Sequence, residues 1–144
     1  MVYNLSSGAQ TNVVLAGNIT YVPNSPAGLL VIAEDDLDIG LDVPNNMTIS
    51  GIFIAQNGRF GRNHYYGPYL NGTYQPYVQR NNLNTLGTVV TNMRAVTNWV
   101  SGGVSVSGFP GGTDSFDRNQ IDSPPPLTPE TSDVYIFKDW RQDG

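Results

Sequence analysis

The sequence predicts an all-β chain, read more closely as a single-stranded right-handed parallel β-helix of a few coils of about 22 residues. The first observation is a motif written twice. Asn45-Asn46-Met47-Thr48-Ile49-Ser50-Gly51 returns as Asn81-Asn82-Leu83-Asn84-Thr85-Leu86-Gly87, and an apolar run follows each copy. The second is composition: 16 Gly, 10 Pro and much Asn, Ser and Thr among 144 residues. Gly and Asn tolerate positive φ, Pro stops helices, and Ser, Thr and Asn compete with the helical backbone. The third is that no stretch keeps a helical hydrophobic period beyond about two turns.

The elements follow in order. Short apolar or β-branched runs bounded by Gly, Asn, Asp or Pro read as strands at 13–15, 19–22, 29–33, 37–39, 47–49, 52–56, 83–85, 88–92 and 104–106. A weaker copy of the apolar run, Gly28-Leu29-Leu30-Val31-Ile32-Ala33, precedes Gly51-Ile52-Phe53-Ile54-Ala55. Aligning Ala33 with Ala55 gives an offset of 22, and aligning Ala55 with Thr91 gives 36. The excess is about the length of 65–78, which reads as a loop inserted into one coil. Leu30, Ile32, Phe53 and Val89, with Ile49 and Thr85, are the expected inward positions. Asn45, Asn46, Asn81 and Asn82 fall at equivalent turns, where stacked amides can satisfy backbone groups. Gly51 and Gly87 are expected corners.

The organisation expected is one domain over 1–144, with coils across 11–107 and an irregular, Pro-rich C-terminal cap across 108–144. Pro124-Pro125-Pro126 fixes φ and removes donors, so that stretch is extended. The aromatic segment Val134-Tyr135-Ile136-Phe137 reads as part of the cap over an otherwise open end.

Charge narrows the function classes. The formal net charge is -5 with only 7 Lys and Arg, and these are scattered, so a phosphate-tracking nucleic-acid surface is excluded. Cysteine is absent, which removes disulfides and Cys-based metal sites. No apolar run is long enough to span a membrane, and the first residues have none of the regions of a signal peptide.

Four residue groups carry candidate chemistry. Tyr65, Tyr66, Tyr69, Tyr74 and Tyr77 crowd into the inserted loop. They form either an aromatic pad against the coils or a surface that stacks on sugars and partner proteins. Glu34, Asp35, Asp36 and Asp38 form the densest acidic cluster, and oxygen-rich turns of this kind suit Ca²⁺. Asp35, Asp36, Asp114 and Asp117 are the acid–base candidates of a carbohydrate-active enzyme, with Asp122 close to the last two. His64, the single histidine, lacks a second nitrogen or sulfur ligand for zinc or copper. Asn4, Asn18, Asn46 and Asn71 lie in Asn-x-Ser/Thr sequons, unsurprising in a chain this rich in Asn and Thr.

The run from Pro44 to Asn63, including Ala55-Gln56-Asn57-Gly58-Arg59-Phe60-Gly61-Arg62, together with Tyr77-Val78-Gln79-Arg80, Ser101-Gly102-Gly103, Asp114-Ser115-Phe116-Asp117 and Pro124-Pro125-Pro126-Leu127-Thr128-Pro129, carries a family likeness. In these segments the chain resembles the C-terminal region of pilin-like, membrane-anchored surface proteins of uncultured bacteria, over about Asn18 to Arg141. The resemblance implies an extracytoplasmic β-helical domain of a cell-surface or pilus-like assembly, held by an anchor segment that this sequence lacks. It supplies no catalytic residues. The expectation is therefore a noncatalytic extracellular module, structural or adhesive, whose partners are other surface or pilus proteins or glycans. A carbohydrate-active enzyme and a glycan-binding module are the alternatives.

Overall fold

A computed structural model describes residues 11–22, 27–66, 72–126 and 128. Strands dominate these residues: β1 (Val13–Leu15), β2 (Leu30–Ala33), β3 (Leu37–Ile39), β4 (Asn46–Ala55), β5 (Phe60–Arg62), β6 (Asn82–Thr91), β7 (Asn98–Ser101), β8 (Val104–Gly108) and β9 (Gly111–Ser115). A 3-10 turn at Gln75–Tyr77 and a four-residue helix, α1 (Asn119–Asp122), complete them.

The strands form three sheets. One is parallel in the order β1-β3-β5, a second is parallel in the order β2-β4-β6-β9, and β7 and β8 make an antiparallel pair. A closed single-stranded β-helix is therefore not what this chain forms, and that expectation is corrected. The antiparallel pair overturns it, and its cause is local. Gly102 and Gly103 adopt φ of 58° and 81°, the two successive positive values that a tight hairpin turn requires, so the chain reverses there instead of advancing.

The two copies of the Asn-Asn motif lie side by side. Asn46 opposes Asn82 and the register holds without a slip to Ala55 opposite Thr91. Asn82 Nδ2 donates to Asn46 Oδ1 at 2.9 Å, and Asn81 N–H donates to the Asn45 carbonyl at 2.8 Å. Ala33 opposes Ala55, as the 22-residue offset requires, but Val31 rather than Leu30 or Ile32 then faces Phe53. Ile32 is 50% exposed. Because side chains alternate across a strand, reading the inward set one residue off reverses the whole strand.

The core lies between the two parallel sheets. Leu37, Ile39 and Phe60 from the three-stranded sheet join Met47, Ile49, Phe53 and Leu83 from the four-stranded one in a single buried cluster. Phe53 and Phe60 meet with ring centroids 6.4 Å apart. Leu37, Ile39, Met47, Ile49 and Phe53 are fully buried, and such burial contributes roughly 1.5–3 kcal/mol per side chain. Beyond residue 108, where an irregular cap is expected, Gly111–Ser115 instead pairs with β6 as a fourth strand. Pro125 is buried and lies against Gly28. The expected Val134–Phe137 cover falls outside the described residues.

Both long strands pass through one glycine of positive φ. Gly51 and Gly87 oppose each other at φ of 148° and 136°, and a Cβ on Gly87 would strike the Gly51 carbonyl. Gly87→Ala is therefore expected to lower stability by about 2–3 kcal/mol. Gly17→Ala, where an added Cβ meets nothing within 4 Å, is expected to change stability by less than about 0.5 kcal/mol. Urea unfolding midpoints compare the two, and equal midpoints would refute this steric account.

Candidate functional site

Side chains at alternate positions of the three-stranded sheet stack inward across the strands. One inward row reads Leu15, Ile39, Arg62. The third member of an apolar row is thus an arginine, and it is fully buried. Its guanidinium donates to the backbone carbonyls of Gly40, Leu41 and Tyr77, with 2.8 Å to Leu41 and 2.6 Å to Tyr77. The ring of Tyr65 lies 5.0 Å from the guanidinium carbon and that of Phe109 lies 5.4 Å away. Burial pulls its pKa down to about 10, opposed by Tyr65 and assisted by Arg80. The group is charged at neutral pH, with carbonyl dipoles and aromatic faces in place of water.

Arg80 repeats the device beside it. Its guanidinium donates to the carbonyls of Val43, Pro76 and Tyr77, and its carbon lies 4.8 Å from the Tyr77 ring centroid. Burial lowers its pKa while Tyr77 raises it. Two arginines therefore share one carbonyl, that of Tyr77, and tie the 3-10 turn to the core.

The tyrosines separate into two groups. Tyr65 and Tyr77 are half-buried against Arg62 and Arg80, and burial raises the Tyr65 pKa despite Arg62. Tyr66 is 52% exposed and Tyr74 is 45% exposed. Tyr69 and Asn71 lie outside the described residues, as does Asn4. Tyr66 begins an aromatic series: His64 lies 6.2 Å from it and 5.3 Å from Trp99, and the Arg59 guanidinium sits 5.9 Å from the Trp99 ring. Trp99 Nε1 donates to the Arg62 carbonyl at 2.8 Å, so the series is fixed to the same strand.

Tyr66 also forms part of a cleft of about 730 Å³, with Gln75, Gln79, Asn81 and Ser105. Gln79 Nε2 donates to the Ser105 carbonyl at 2.7 Å. The described lining carries no carboxylate, and Arg80, its one charged residue, is committed to carbonyls.

The acidic cluster serves the turn between β2 and β3. Glu34 accepts from Thr11 N–H at 3.3 Å, and Asp36 Oδ1 accepts from Arg59 N–H at 2.8 Å. Gly58 packs so closely beneath that an added Cβ would overlap Asp35 and Asp36. Asp38 is 9% exposed. Burial raises its pKa, Asp36 adds to the rise, and Arg59 and a hydrogen bond with Asn63 oppose it. Among the described residues no three His, Asp or Glu side chains converge on a metal position. The acid–base candidates lie on separate elements: Asp35 and Asp36 in this turn, Asp114 on β9, and Asp117 before α1. Asp117 is buried and accepts from Asn119 N–H at 3.0 Å, and Asp122 is exposed.

Arg62, Arg80, Trp99 and Gln79 belong to the candidate site without being among its expected residues, and Asn81, expected at a turn, joins them. The available signal was spacing, since Arg62 follows Leu15 and Ile39 in one row. Compared with protein-family models, curated proteins and solved structures, the chain matches none.

Arg62→Met retains bulk but removes the donor to the Gly40 and Leu41 carbonyls and leaves that of Tyr77 to Arg80 alone, and is expected to cost about 3 kcal/mol in urea unfolding. Arg62→Lys keeps a charge that cannot reach all three, and falls between. A midpoint for Arg62→Met equal to that of the parent would refute the anchoring role. Asp38 gives a pH test. An acid with its folded pKa above its unfolded value holds its proton more tightly when folded, so stability falls as pH rises between the two values. Asp38→Asn is therefore expected to be more stable than the parent at neutral pH, with the difference vanishing below the ordinary carboxylate range. Unfolding midpoints from about pH 3 to 8 measure it.

Proposed function

We propose that this chain is a noncatalytic binding module of a cell-surface or pilus-like assembly, and that the Tyr66 cleft accepts a neutral glycan. The observation that carries the reading is the lining: one exposed tyrosine ring beside amides and a serine, with no carboxylate among the described residues. An aromatic face packs against the C–H face of a pyranose, and amides both donate to and accept from its hydroxyls. The volume suits a small oligosaccharide. Hydrolysis of a glycosidic bond uses two carboxyl groups within roughly 5–10 Å across one groove. Asp35 and Asp36 share one turn, Asp114 lies on β9 and Asp117 before α1, and none of them lines the Tyr66 cleft, which favours binding there over catalysis. The resemblance to pilin-like surface proteins points to the same setting.

A glycan array followed by calorimetry on the strongest hits tests the reading. The parent is expected to bind neutral glycans, Tyr66→Phe to bind comparably, and Tyr66→Ala to bind about tenfold more weakly or worse. Mass spectrometry of the incubated glycan is expected to show no cleavage. Absence of any bound glycan, or equal binding by Tyr66→Ala, would remove the proposal.

A further inference from the structure

The four-stranded sheet has β9 as its last strand among the described residues. Among the described residues β9 pairs only with β6, and nothing pairs with its other side. Across the sheet toward that edge, the inward rows shrink and become polar. One row reads Met47, Leu83, Gly112, and the next reads Ile49, Thr85, Asp114. Met47 and Ile49 are fully buried, whereas Asp114 is exposed. Beside the edge lies a cleft of about 600 Å³ with Phe60, Leu83, Val89 and Phe109 among its walls. Asp114 is the one charged side chain among its described lining, and no Lys or Arg faces it there.

We propose that the β9 edge receives an extended segment of a partner protein as a fifth parallel strand. That segment places an apolar side chain opposite Gly112 and a Lys or Arg two residues later, opposite Asp114. A sheet edge offers a row of unpaired donors and acceptors that an extended chain can complete. Alternation then turns the partner residues opposite Gly112 and Asp114 inward. Gly112 has no side chain, so the apolar residue reaches Leu83 and the cleft. The inward carboxylate discriminates: it opposes pairing with a wholly apolar strand and favours one that brings a cation. A second copy of this chain fits poorly, because the strand at the other edge of this sheet, Leu30–Ala33, carries no Lys or Arg. Glycan binding at Tyr66 plays no part in this docking.

The test uses the full chain and two blocked, fluorescein-labelled peptides, Thr-Leu-Thr-Lys-Thr and Thr-Leu-Thr-Glu-Thr. The lysine peptide is expected to bind at least about tenfold more tightly than the glutamate peptide, and to slow amide exchange in β9. Asp114→Lys is expected to reverse that preference. Asp114 is exposed, so the variant keeps its fold, which circular dichroism checks. Failure of the lysine peptide to bind, equal binding of the two peptides, an unchanged preference in Asp114→Lys, or protection mapping away from β9 would each overturn the proposal. Concentration-dependent self-association that protects β9 without peptide would overturn it in favour of a second copy.

Discussion

The guanidinium of Arg62 is the interaction on which the candidate site depends. It occupies an inward position that Leu15 and Ile39 fill on the neighbouring strands, and its charge is held by backbone carbonyls. A buried charge is costly unless hydrogen-bonded, and here the carbonyls of Gly40, Leu41 and Tyr77 supply the acceptors. The first two belong to the segment that leaves β3, the third to the 3-10 turn, so one side chain joins segments 36 residues apart. Shortly after Arg62 come His64, Tyr65 and Tyr66, whose direction follows from that anchor. Arg80 uses the same chemistry on the return path and shares the Tyr77 carbonyl.

Turns elsewhere are held by the same economy of polar groups. Asn57 Nδ2 donates to the Glu34 carbonyl and Asn92 Nδ2 donates to the Asn57 carbonyl, at 2.8 and 3.1 Å. Stacked strands bring equivalent turns into contact, and each amide satisfies the backbone of its neighbour. Asp36 does so with a carboxylate, accepting from Arg59 N–H. Two members of the short acidic run, Glu34 and Asp36, thus answer the needs of backbone donors.

Parts of this arrangement were legible in the sequence for a physical reason. The two Asn-Asn motifs share spacing, glycine position and apolar phase because they lie in register, and strands in register need similar residues at similar places. The need for glycine at 51 and 87 was legible because positive φ selects glycine. The inward set of β2 was not, since Leu30, Val31 and Ile32 are all apolar and alternation alone cannot choose between two apolar faces. The hairpin at Gly102-Gly103 carried a local signal that the surrounding parallel pattern obscured. Arg62 was hidden because an arginine between apolar strands reads as a break, and only its row mates reveal it as an inward residue. The split among the tyrosines depended in turn on Arg62 and Arg80, so it could not precede them.

The same rows explain why the chain offers recognition surfaces of two kinds. At Arg62 the inward row becomes charged, but the charge is consumed by carbonyls, and the lining of the neighbouring cleft includes neutral amides, Tyr66 and an Arg80 likewise engaged by carbonyls. At Asp114 the row becomes charged at the rim of its own cleft, whose described lining brings no cation to balance it. A buried cation engaged by carbonyls fixes geometry and exerts little pull on a ligand. A carboxylate at an open edge selects ligands by charge. The chemistry at these two places thus differs because one polar residue is enclosed by the fold and the other stands exposed on β9, the last strand of its sheet among the described residues.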